Sequence, residues 1–169
     1  MSADWEFVTP PAPIQRLVGA LAIKHSHLDH AMRLCIKRML GIGIRHPLYD
    51  LFIDAALTGS LRDRATKLLR ASELNKADRQ RIIELLLEAQ TLSTLRNRWV
   101  HGIWAKKPGV KLRVLDKKQW YPVPSTETLK LLGADIDRVA AELDEVTKVL
   151  LKPEKPLPRP ARVVPRRTP

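Results

Sequence analysis

Leu129, Leu132, Ile136, Val139, Leu143, Val146 and Leu150 recur at intervals of three and four. That spacing lines one face of an α-helix turning ~100° per residue. Ser125 and Glu127 open the segment as a cap and Pro153 closes it. The same pattern recurs in Ile14, Leu17, Val18, Leu21, Leu28, Met32, Cys35, Ile36 and Met39, which predicts a first helix over 14–40, broken by Gly41 and Gly43. A third stretch, starting near Lys76 and reaching about Trp104, carries Ile82, Leu85, Leu86, Ala89, Leu92, Trp99 and Val100 on one stripe. A shorter helix follows a cap at Ser60 with Asp63 and runs through Leu68, Leu69 and Ala71. Residues 48–53 suit one further short helix.

Helices with one apolar face each must bury those faces together. The expectation is an all-α fold: a four-helix up-and-down bundle over residues 14–151, the single domain that 169 residues allow. Before it, residues 1–13 with Pro10, Pro11 and Pro13 read as an irregular lead-in. Between the third and last helices, Val110–Val114 alternates, Asp116-Lys117-Lys118 suits a turn and Gln119–Tyr121 resumes, which predicts a small β-hairpin insert. Residues 152–169, rich in proline and arginine, read as a disordered basic tail.

The net charge is +12, of which the tail carries +5 and residues 1–151 carry +7. A basic body with a basic tail favours a polyanionic partner, since each neutralised phosphate releases condensed counterions. Charge alone leaves RNA, DNA and anionic lipid open. No apolar run approaches the ~20 residues of a membrane span, and the acidic N-terminus is unlike a signal peptide. The chain reads as cytoplasmic, with no membrane partner. Cys35, the single cysteine, falls among Leu28, Met32 and Met39 and reads as a small core residue in a reducing compartment.

One residue breaks the pattern. Arg96 falls in the middle of the third helix's apolar stripe, where an unpaired guanidinium costs several kcal/mol. Either its head snorkels to an edge, or the site holds a partner or an anion. Asn97 and His101, four apart, share a face close by. That face continues through Ile83, Leu87, Gln90 and Thr94, a second half-apolar strip that calls for a second packing partner and so predicts a homodimer.

The stretch Arg96-Asn97-Arg98-Trp99-Val100-His101-Gly102 resembles the R-x4-6-H motif, in its R-N-x-x-x-H form, of the HEPN-domain ribonucleases. The likeness extends to the architecture: a helical bundle of this size, with the motif late in a helix and a short insert before the last one. The resemblance implies metal-independent RNA cleavage with the ribose 2′-hydroxyl as nucleophile, by a dimer whose two motifs face one cleft, with no cofactor. It implies that His101 is general base or acid, that Arg96 holds the scissile phosphate, and that Asn97 orients His101 or contacts the phosphate. Arg98, Lys106 and Lys107 add RNA-binding charge. A toxin or defence component with an antitoxin or inhibitor partner fits this reading; a non-catalytic RNA-binding or adaptor module competes with it.

His25-Ser26-His27-Leu28-Asp29-His30 spells the H-x-H-x-D-H metal motif of metallo-β-lactamase-type hydrolases. Mid-helix, however, positions 25, 27 and 30 point to different sides, so no metal site is expected. His25 falls on the apolar stripe with Asp29 four residues on. The pair reads as a core histidine satisfied by a carboxylate, or as a lining of the cleft that holds Arg96 and His101.

Overall fold

The structure, a computed structural model, describes residues 5–42 and 58–151. The elements run β1 (Glu6–Phe7), α1 (Ala12–Leu40), α2 (Thr58–Ala71), α3 (Lys76–His101), β2 (Ile103–Lys107), β3 (Val110–Asp116), β4 (Gln119–Pro122) and α4 (Thr126–Leu150). The fold is mostly helical, as the apolar repeats require. Leu21, Leu28, Met32 and Ile36 of α1 meet Leu61 and Leu69 of α2, Ile82 and Leu86 of α3, and Leu129, Ile136 and Leu143 of α4 in one core. Each is almost wholly withdrawn from water. Burial of such a side chain contributes roughly 1.5–3 kcal/mol.

Local chemistry sets the helix ends. Asn75 caps α3 by accepting from Asp78 N at 2.9 Å, and Ser125 caps α4 by accepting from Thr128 N at 3.0 Å. Gly41 closes α1 in the left-handed conformation, φ 61°, that favours glycine. Arg38 ties α1 to α4, donating to Asp144 O at 2.9 Å and to Asp144 Oδ1 at 2.6 Å. Cys35 is fully buried, and burial pushes its thiol up to about 12 despite the opposing pull of Arg38. It is an inert core side chain.

Four expectations change. The β-hairpin is half of a four-stranded antiparallel sheet ordered β1-β2-β3-β4, because residues after the third helix and in the lead-in also pair. Residues 1–13 are therefore not uniformly irregular: Glu6 pairs with Lys106 and Phe7 with Ala105. The third helix stops at His101 rather than near Trp104. Gly102 takes an extended backbone and lets Ile103 start β2. Ser60 does not cap the second helix, which is already helical at Thr58. The short helix read at 48–53 and the tail at 152–169 lie outside the described residues. Among the described residues no helix is long and apolar enough to cross a membrane.

The helix-to-strand junction is tight. A Cβ on Gly102 would stand 2.3 Å from both Arg98 O and Val114 Cγ1. Glycine is needed there for close approach, and through it the sheet is pressed against the last turn of α3.

Candidate functional site

The last three turns of α3 combine a buried and an exposed face. Leu92 and Trp99 anchor the helix in the core, leaving Asn97 and His101 exposed and Arg96 half-buried. The guanidinium of Arg96 bridges its two neighbours: Nη1 donates to Asn97 Oδ1 at 2.8 Å and lies 3.0 Å from His101 Nε2. A guanidinium carries no acceptor. In this contact His101 Nε2 is therefore the lone-pair nitrogen, and the ring presents its basic side to Arg96. The Nε of Arg96 is shut off from solvent and has no hydrogen-bond partner among the described residues. Burial pushes the guanidinium below its ordinary value, while the Asp29 carboxylate pulls it back up.

Asp29 belongs to a second polar group, contributed mainly by α1, whose other members His25 and Ser93 are buried. His25 is only 4% exposed, and its Nε2 stands 2.8 Å from Ser93 Oγ on α3. Ser93 gives its own proton to Ala89 O at 2.7 Å, so His25 Nε2 is the donor in that pair. Asp29 Oδ2 lies 3.5 Å from His25 Nδ1. His25 is thus a core residue beside a carboxylate, and the same carboxylate favours the charged form of Arg96. His27 and His30 are exposed on other sides of α1, so the H-x-H-x-D-H string does not converge.

The remaining predicted residues divide. Arg98 faces the sheet: its guanidinium carbon sits 3.7 Å from the centre of the Tyr121 ring, and Nε is 3.8 Å from Asp116 Oδ2. It pins sheet to helix. Lys106 is paired at 3.5 Å with Glu6 of β1. Lys107 reaches over the Trp5 ring at 5.6 Å. Both lie in β2, five and six residues after His101, and neither is among the hydrogen-bond partners of Arg96, which are Asn97 and His101.

Ser93 was not singled out in the sequence; its only signal is a small hydroxyl side chain in register with Ala89 beneath the apolar stripe. Tyr121 and Asp116, which hold Arg98, carry no sequence signal for that role, because the contact depends on the tertiary placement of the sheet. A cavity of about 260 Å³ opens between α1 and α4, lined by Leu17, Leu21, Lys24, Leu129, Gly133 and Asp137 among others. It shares no residue with the Arg96 group.

Comparisons with protein-family models, with curated proteins and with solved structures each find no match to this chain.

Proposed function

We propose that this protein is a HEPN-type endoribonuclease that cleaves RNA through the ribose 2′-hydroxyl, independently of metal. The observation that carries the reading is the contact of one guanidinium, Arg96, with both Asn97 and a histidine nitrogen in its lone-pair form. A base and a cation at this distance are what in-line transesterification requires.

When a phosphodiester enters, Arg96 turns its donors to the non-bridging oxygens and leaves His101 Nε2 free. His101 takes the proton of the 2′-hydroxyl, the 2′-oxygen bonds to phosphorus, and the bond to the 5′-oxygen breaks. The leaving oxygen needs a proton, which a homodimer supplies from the partner subunit's His101. The products are a 2′,3′-cyclic phosphate and a 5′-hydroxyl. Dimerisation runs along the strip that ends at the site: Ile83 and Gln90 are half-buried, Leu87 is 55% exposed, and Thr94, Asn97 and His101 continue the face.

The test is incubation with structured RNA in excess EDTA, comparing wild type with His101→Ala. Cleavage to cyclic-phosphate ends that is lost in the variant supports the reading. Equal cleavage by both removes His101 from the chemistry. The competing reading, a non-catalytic RNA-binding or adaptor module, draws on the basic outer face of the sheet, and predicts retained binding without cleavage in both proteins.

A further inference from the structure

The strand register sorts the sheet's side chains onto two faces. Trp104, Val114 and Tyr121 are directly opposite one another, and so face the same way. Trp104 and Val114 are buried, and Tyr121 meets Arg98 of α3, so this is the face toward the helices. The other face carries Ile103, Leu115 and Trp120 in one row and Phe7, Ala105, Arg113 and Pro122 in the next.

That outer face is apolar and only partly covered: Phe7 is 59% and Ile103 46% exposed, Trp5, Leu115 and Trp120 are half-buried, and Ala105 is buried. Trp5 stacks on Trp120 with ring centres 4.0 Å apart and planes 15° apart, and Lys107 lies over the same Trp5 ring. Charge is also segregated. The two acids of the sheet, Glu6 and Asp116, take positions of the inner set, where Lys106 and Arg98 answer them. The outer face holds the cation Arg113; Lys107, past a bulge in β2, reaches the Trp5 ring there; and the exposed Lys117 and Lys118 form the turn at its end.

We infer that this outer face is a docking platform for single-stranded RNA, with bases stacking on Phe7 and on the Trp5–Trp120 pair while Arg113 and Lys107 meet phosphates. Aromatic rings at least partly open to solvent, set among cations without acids, fit a strand whose bases are unstacked and whose backbone is anionic. A duplex hides its base faces and would engage only the cations. The inference rests on the reading of this protein as RNA-directed. It adds the form of RNA preferred and the surface that receives it, beginning two residues beyond His101.

The experiment uses full-length protein carrying His101→Ala, so that binding is read without turnover. Fluorescence anisotropy with a labelled single strand of about 12 nucleotides, within the span such surfaces cover, is compared with a duplex of the same sequence. Phe7→Ala and Trp120→Ala should each weaken single-strand binding by about tenfold or more, Trp120→Phe should restore most of it, and duplex binding should change little. Arg113→Glu, at an exposed position, should weaken both. Circular dichroism and Tm identify any variant that has unfolded, and Phe7→Ala, at a mostly exposed residue, keeps the test alive if Trp120→Ala does. Parent-like binding by Phe7→Ala and Arg113→Glu overturns the platform. Equal losses for strand and duplex overturn the stacking role, and tight binding to anionic lipid vesicles with none to RNA overturns the choice of partner. Cleavage by the otherwise wild-type protein is scored separately, so loss of the nuclease reading leaves this result standing and the converse also holds.

Discussion

Arg96 Nη1 stands 3.0 Å from His101 Nε2, across five residues of one helix. A positive donor therefore faces the lone pair that a general base must use. The same guanidinium has Asp29 of α1 as its electrostatic counterweight. On the proposed reading the arrangement is poised rather than locked, since an incoming phosphate would offer Arg96 better acceptors than an imidazole nitrogen.

Exchanging Arg96 for Met separates a structural from a catalytic arginine. Arg96→Met should fold with unchanged or higher Tm, as a half-buried charge gives way to a similar apolar stem, yet lose RNA cleavage by about 100-fold or more. His101→Ala should lose as much while binding RNA. The double variant should be no worse than either single one, because both disable one step. Additive losses would show two independent roles.

Sedimentation at micromolar concentration should find a dimer, and Leu87→Lys should shift it to monomer. A charged side chain replaces the most exposed apolar group of the strip. Cleavage should fall with dimer content when the concentration is lowered. A wild-type monomer that cleaves at full rate would mean that one protomer holds both acid and base.

Gly102→Ala tests the junction. The new Cβ would meet Arg98 O and Val114 Cγ1 at 2.3 Å, and relieving that overlap costs about 1–3 kcal/mol. A fall in Tm of several degrees should accompany a loss of cleavage, since His101 is the adjoining residue. A variant with parental Tm would show that the sheet rides freely on α3.

Asp144 links stability to pH. Burial opposes its ionisation, but Lys148 and Arg38 outweigh burial and hold the carboxyl below its ordinary 3.8. A depressed folded pKa adds stability that is complete above the unfolded value and is lost as pH falls through the folded one. Asp144→Asn should therefore be less stable than wild type near neutrality, with the gap closing below about pH 4. A gap that stays constant to pH 2 would exclude the ion pairs as its cause.

Removing residues 152–169 subtracts +5 from the net charge of +12. RNA affinity should fall at low salt, and the slope of log affinity against log salt should flatten, each lost phosphate contact contributing about 0.7 for a single strand. Tm of the truncated protein should match the parent. A large drop in Tm would show that these residues carry more than charge.

The helices were legible because three-and-four spacing is a local signal: Leu129 through Leu150 announces α4, and the Ser125 cap marks its start. Arg96 was legible as an exception to the same rule. The sheet was only half legible. Val110–Val114 alternates visibly, but Glu6-Phe7 pairs with residues about a hundred positions away, and a two-residue strand has no period to read. Ser60 and Asp63 copy a cap spacing that the helix, already begun at Thr58, does not use. The pull of the Asp29 carboxylate on the Arg96 charge depends on how α1 crosses α3, which no spacing along either helix specifies.

The two residues of β1 also act as a guard. With β1 paired to it, β2 offers none of its ladder to other chains along Glu6–Phe7; stripped of it, β2 becomes a bare edge, ready to recruit strands from its neighbours. A fusion partner or protease that disturbs the chain just before Pro10 thus threatens solubility before it threatens the helices, and tags belong at the other end of the molecule.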